Sequence, residues 1–396
     1  MASPKDLPPS DSPSLALVHP TGPEILQQNI YTAAAWSGSL SVEAYLRREI
    51  YLASQECTKD GGLTTWVLVD TSVPESERIV LCGCDTYRKK ALVARDGKLQ
   101  EVISHGIGSV FCPPQNRGKG YAGRMMKELG QALKTWQISD GEEVLFSVLY
   151  SDIGKVVLLY RKRSHHLQLT ILKKFYTAHG WKPFPSSHIS LPATYSPFKS
   201  PSRTTARPLY AHELAELCAF DEKLIRQRLA KVQADKTTVA LVPNIESVRW
   251  HHAREEFIAN ELYGSKPEIK GAIVNYEPGR RVWCYWARFW RNKDINDSKG
   301  NQLIILRLVV EDEENASHYV NDVTALFVHA LEQATTWTME EVMAWNPTPE
   351  VVAGARNILP EAKVIDRDMD SIASLMWYGR PDEKIEWMAN EKYGWC

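Results

Sequence analysis

The chain has 396 residues, with 47 Lys and Arg against 48 Asp and Glu for a net charge of −1, and 44% hydrophobic residues including thirteen tryptophans. That length has room for two domains with sizeable cores, and the charge balance argues against a dedicated nucleic-acid binder. No apolar run is long enough to span a membrane, and seven irregularly spaced cysteines describe no disulfide framework, so a reducing, cytoplasmic setting is expected.

The opening MASPKDLPPSDSPS is rich in Pro and Ser and has no apolar core, so residues 1–13 are expected to form a disordered tail and not a signal peptide. A first strand follows at SLALVH, then a helix from Thr21, whose spacing to Glu24 matches a capping box. SVEAYLRREIYLASQE is a second helix, with Val42, Tyr45, Leu46 and Ile50 at helical spacing. LTTWVLVD and RIVLCGCDTY read as strands, and EVISHGIGSVFC as a third in which Gly106 and Gly108 suggest a bulge. Cys82 and Cys84 lie in that apolar run without a second pair at ligand spacing, so packing is expected and no metal. A helix from Tyr121 to Trp136, the strand EEVLFSVLYSD and a short helix ending at Gly180 complete the order β-α-α-β-β-β-α-β-α.

A Pro- and Ser-dense stretch, residues 183–208, marks a linker. After it come two helices, a hairpin around PGR, a strand, a helix, a strand and a closing helix, which repeats the first order in degenerate form. The expected division is 14–190, a linker core at 191–208, and 209–396.

VFCPPQNRGKGYAGRMM is the most informative stretch. A strand breaks at two prolines, passes through a loop with Arg117, Lys119 and two glycines, and enters a helix. Glycine permits φ > 0 and close backbone approach, and the unpaired N–H groups of a helix start attract anions. The loop therefore reads as a phosphate cradle. The second half has the acidic VVEDEENASHYVND at the corresponding place, which repels phosphate.

With Arg117, Gly120 and Ala122 at the positions of an Arg/Gln-x-x-Gly-x-Gly/Ala motif, this order of elements resembles the GNAT N-acetyltransferase superfamily. The resemblance implies a mixed, mostly antiparallel sheet flanked by helices (an α+β or α/β GNAT fold), followed by a degenerate GNAT-like domain without the cofactor loop. It also implies acetyl-CoA as cosubstrate and no metal. Its pyrophosphate would fall to Arg117, Gly118, Lys119, Gly120, Tyr121 and Ala122, and its pantetheine arm to the backbone of Val110 and Cys112. Tyr176, in Tyr-x-x-x-Gly-Trp with Gly180 and Trp181, would protonate the departing thiolate. More narrowly, SDIGK and KFYTAHGWKP with the long second half resemble the fungal lysine N6-acetyltransferases, which implies L-lysine as acceptor, a place in lysine catabolism, and no membrane or nucleic-acid partner. The run from Val156 to Lys173 departs from that pattern and reads as an insertion.

An amine must lose its proton to attack a thioester, so a base is needed. His105 on the fourth strand is the candidate, with Glu101 a weaker one. Arg280 and Arg281 are candidates for the lysine carboxylate, and Trp283, Trp286 and Trp290 for its aliphatic stem. Two other functions remain open at this level: a protein or histone lysine acetyltransferase, and a non-catalytic acetyl-CoA-binding protein.

Overall fold

The computed structural model describes residues 7–151, 175–194, 204–275, 277–367 and 371–395. The insertion expected at 156–173 lies outside them. In chain order the elements are β1 (Leu15–Val18), α1 (Gly22–Trp36), α2 (Val42–Ala53), β2 (Leu63–Asp70), β3 (Cys82–Arg95), β4 (Lys98–Phe111), α3 (Tyr121–Ala132) and β5 (Val144–Ser151). Then follow β6 (Lys182–Pro183), β7 (Ser187–Pro192), β8 (Arg207–Tyr210), α4 (Leu214–Ala230), β9 (Thr237–Leu241), α5 (Ile245–Tyr263), β10 (Ile269–Val274), β11 (Val282–Phe289) and β12 (Gln302–Val310). The last are α6 (Val320–Thr336), β13 (Glu341–Trp345), α7 (Pro349–Ile358), β14 (Val364–Asp366), β15 (Ile372–Trp377) and β16 (Ile385–Trp387). Among the described residues no helix is long and apolar enough to cross a membrane.

Local chemistry starts the first helices. The backbone N–H of Thr21 donates to Glu24 Oε2 at 2.7 Å, as the spacing predicts. Ser41 Oγ caps α2 by accepting from the Ala44 amide at 3.1 Å.

Two mixed sheets form. The first runs β1-β2-β3-β4-β5-β15-β6, with β9 and β16 added along the far half of β3. The second runs β14-β7-β13-β12-β11-β10-β8. β3 continues past Tyr87 to Arg95 because β9 covers its second half, Ala91 facing Leu241. The halves also exchange strands. β15, late in the chain, lies antiparallel to β5, and β7, from the first half, lies antiparallel to β13. The division at residues 190 and 209 therefore does not separate the sheets. Phe146 and Val148 of the first sheet share a core with Trp283, Tyr285 and Met343 of the second. The tail expectation is corrected for residues 7–13: Leu7 packs on the α3 core, and Pro8 O accepts from Tyr121 Oη at 2.6 Å.

α5 is pinned by buried charge. Glu255 is fully enclosed, 2.8 Å from Lys270 Nζ and 3.1 Å from Arg288 Nη1. Removing it leaves Arg288 without a carboxylate, and Lys270 with Glu256 alone at 2.8 Å, in a site that solvates both cations poorly. Glu255→Ala is expected to cost about 3–5 kcal/mol in denaturant unfolding; a cost below about 1 kcal/mol would mean that water reaches Lys270 and Arg288.

Candidate active site

The site begins where two parallel strands part. β4 and β5 pair from Ile103 opposite Val144 to Ile107 opposite Leu149, and no further, although β4 runs on to Phe111. β3 stays with β4, Asp85 facing Gly108 and Gly83 facing Phe111, with one residue extra on β4. Ser109, at φ +52°, absorbs that extra residue. The bulge is therefore at Ser109, while Gly106 and Gly108 sit in regular register.

Past the split the chain makes a 3₁₀ turn at Pro114–Asn116 and enters the glycine loop. Asn116 Nδ2 ties the turn to Leu81 O at 3.0 Å, and Arg117 Nε donates to Cys112 O at 2.9 Å. Gly118 and Gly120 have φ of +78° and +87°, and Gly120 caps α3. Nothing lies within 4 Å of where a Cβ on Gly118 would stand. Backbone direction, and not space, requires glycine there. The loop thus brings Arg117 and Lys119 next to the start of a twelve-residue helix, whose first amides are those of Tyr121 and Ala122. Such a start accepts an anion. A Cβ on Gly120 would also stand 2.5 Å from Ser10 Oγ. Gly120→Val therefore forces a left-handed β-branched residue and should raise the KM for the acyl-CoA at least tenfold, measured by steady-state kinetics; an unchanged KM would remove this loop from the site.

On the α3 face, Tyr176 is half-buried in the same cluster as Val110, Cys112 and Tyr378. Its carbonyl accepts from the amides of His179 and Trp181, both at 3.0 Å. Trp181 is buried and donates to Ser147 Oγ at 3.0 Å. Burial pushes the Cys112 thiol up to about 11, so it is a neutral, apolar neighbour.

His105 does not reach the split. It lies in the paired length of β4 opposite Ser147, fully enclosed, with Nε2 3.3 Å from Gln137 Oε1. Burial draws its pKa down to about 4. It is a neutral core histidine, which corrects the expectation of a base at this position. Glu101 pairs with Arg226 at 2.9 Å on the surface. Arg281 is neutralised by Glu311 at 2.9 Å, and Trp283, Trp286 and Trp290 are buried in the second half's core.

The opposite face of β3 holds a further candidate, which sequence reading missed. Gly83, Asp85 and Tyr87 alternate onto this face. Gly83 meets α1, since a Cβ there would stand 2.7 Å from Gln28 Cδ, and Tyr87 meets Trp250 of α5 with ring centroids 5.8 Å apart. Between them Asp85 is half-buried beside α2, with Thr65 Oγ1 donating to Oδ1 at 2.8 Å. Burial raises its pKa to about 6, with the Glu49 carboxylate adding to the rise; hydrogen bonds from Thr65 and Ser109 offset part of it. Its strand partner Gly108 is the last β4 residue before the bulge and lies two residues before Val110. A carboxylate ionised near neutral pH thus lies at the mouth of the split, on the face away from Tyr176.

A parallel strand pair that parts beside a glycine-rich helix start, inside an antiparallel sheet, defines a GNAT N-acetyltransferase using an acyl-CoA. The family described as the LYC1 GNAT-like C-terminal domain matches residues 188–396, and the chain belongs to it. The chain is 22% identical to the lysine acetyltransferase of Yarrowia lipolytica (strain CLIB 122 / E 150), over 83% of each. In fold it resembles the N-myristoyltransferase of Saccharomyces cerevisiae with bound myristoyl-CoA, at TM-score 0.52 and 10% identity, over all of this chain and 88% of the other. It also resembles a GCN5-related N-acetyltransferase from Anabaena variabilis ATCC 29413, at TM-score 0.50 and 13% identity, over 91% of this chain and 72% of the other.

Proposed function

We propose that this protein transfers the acetyl group of acetyl-CoA to the ε-amine of free L-lysine, at a step of lysine catabolism. The observation that carries the reading is the β4–β5 split, with an anion-ready glycine loop at its end and Asp85 on its opposite face. The relative named lysine acetyltransferase supports the acceptor.

In this reading the pyrophosphate rests on the amides from Gly118 to Ala122, with Arg117 and Lys119 adding charge, and the pantetheine arm lies along Val110 and Cys112. The ε-amine enters from the Asp85 face. Its nitrogen attacks the thioester carbon and a C–N bond forms. The amine proton passes to Asp85, directly or through one water. The developing oxyanion takes a hydrogen bond from the Val110 N–H. As the C–S bond breaks, Tyr176 gives its proton to the CoA sulfur; solvent then reprotonates Tyr176 and takes the proton from Asp85. The six described cysteines are all free, which fits a reducing compartment, and the cytoplasm is the proposed location.

The test is CoA-thiol release from acetyl-CoA with free lysine, a lysine-containing peptide and a polyamine offered side by side. Preference for free lysine by tenfold or more in kcat/KM is expected. Preference for the peptide would assign the chain to protein acetylation, and binding without release would make it a non-catalytic acetyl-CoA-binding protein.

A further inference from the structure

The second half has no glycine loop, yet it meets the acceptor side of the first. α2 and α5 run antiparallel across the seam: Arg47 pairs with Glu261 at 2.7 Å, the Tyr51 and Phe257 rings lie 5.7 Å apart, and Leu52 packs on Trp250. One turn along from that last contact, Arg48 and Glu49 of α2 face Arg254 of α5. The electrostatic partners agree: Glu49 acts on Asp85, on Tyr45 and on Arg254, and Arg48 acts on Tyr45 and Arg254.

Arg254 is the unusual member. Its guanidinium stacks on Phe289, 4.9 Å from the ring centroid, and it makes no hydrogen bond or ion pair among the described residues. Burial, with Arg48 and Arg291 as like charges nearby, draws its pKa down to about 9, and the Glu49 carboxylate offsets part of the fall. The one carboxylate near this crowded guanidinium, Glu49, is already paired with Arg48, so a further anion would relieve the cost of enclosing the charge. Arg48 differs in being paired with Glu49 through both Nε and Nη2, but it too keeps a spare donor. Nε donates to Glu49 Oε1 at 2.8 Å, while Nη1 is shut from water with no partner among the described residues. Two cations thus converge with donors to spare, beside one carboxylate at Glu49 and a second at Asp85.

We propose that Arg254 and Arg48 grip the α-carboxylate of a free amino-acid acceptor and Glu49 its α-ammonium, with the side-chain amine directed to Asp85. The charges match in kind. Lysine brings one carboxylate and two ammonium groups, and the cluster offers two guanidinium groups and two carboxylates. A lysine inside a protein has its carboxylate locked in an amide, so a carboxylate grip selects the free amino acid. The second half then has a task despite its lost loop, because it supplies Arg254. This inference rests on the lysine reading for the length of the acceptor, and on the cluster alone for the carboxylate.

The experiment compares wild type and Arg254→Gln on L-lysine, L-ornithine and cadaverine, which keeps the terminal amine and lacks the carboxylate. Arg254→Lys and the KM for acetyl-CoA monitor folding. The expected result is a KM for lysine raised about ten- to a hundredfold, the scale of one charge-assisted hydrogen bond. Cadaverine kcat/KM should change less than about threefold, and Arg254→Lys should recover part of the loss. The same selective loss on ornithine, in an enzyme inert to lysine, would keep the carboxylate grip and overturn lysine as acceptor. Equal losses on lysine and cadaverine, or no loss on lysine, would overturn the grip and leave lysine standing. A wild type that acetylates cadaverine alone would overturn both.

Discussion

Asp85→Asn is expected to lower kcat/KM for lysine by roughly 10²–10⁴, the usual range for a lost general base. Asn keeps the shape and an oxygen for the Thr65 hydroxyl, so the β3–β4 register should survive. What it loses is the ability to hold the amine proton. The sign of the pH dependence follows from the raised pKa of about 6. Below that pH the carboxyl is protonated and cannot accept; above it the carboxylate is present and the rate reaches a plateau. Wild-type kcat/KM should therefore rise with pH through a midpoint near 6, and the Asn variant should lack that limb. The KM for acetyl-CoA should stay within about threefold, since Asp85 faces away from the α3 side. A variant that keeps the wild-type rate and pH profile would make Asp85 a structural partner of Ser109 and Thr65.

Tyr176→Phe is expected to lower kcat by roughly one to three powers of ten, within and below that same range. Phe keeps the ring that packs with Val110 and Cys112 and removes only the hydroxyl. CoA thiolate leaves tolerably unaided, so the loss should be partial. Steady-state turnover measures the effect, and calorimetric titration with acetyl-CoA separates it from binding, which should change little. Wild-type turnover would make Tyr176 a packing residue. Together the two variants test opposite faces of one split: in the proposed mechanism Asp85 takes a proton from the amine on the α2 side, and Tyr176 gives one to sulfur on the α3 side.

The loop was legible because its chemistry is local. Two glycines, two cations and a helix start within a few residues can be read without knowing what lies across the sheet, and both glycines take the positive φ that their role requires. The local turn around Tyr176 was legible through its spacing to Gly180 and Trp181, whose amide returns to the Tyr176 carbonyl. The proposed base was not, because a strand residue's role depends on which face it takes. His105 has suitable chemistry and lies on the α3 face; Asp85 is an ordinary residue in CGCDTY until β3 is known to turn it toward α2. Alternation held a usable signal: Cys82, Cys84 and Thr86 form one face and Gly83, Asp85 and Tyr87 the other. The role proposed for Arg254 has no local sequence signal, because it depends on the meeting of α2 with α5. The exchange of β7 and β15 between the sheets was also hidden, because pairing partners some 150 or more residues apart leave no local pattern.

The position of the acetyl group on the product tests the account most directly. Wild-type enzyme, acetyl-CoA and L-lysine are incubated, and the product is read by fragmentation mass spectrometry against Nε- and Nα-acetyl-lysine standards. With the carboxylate held at Arg254 and the far amine at Asp85, the account predicts Nε-acetyl-lysine as the single product. Nα-acetyl-lysine would mean that the amino acid binds the other way round, and no acetyl-lysine at all would mean that the site is built for a different amine.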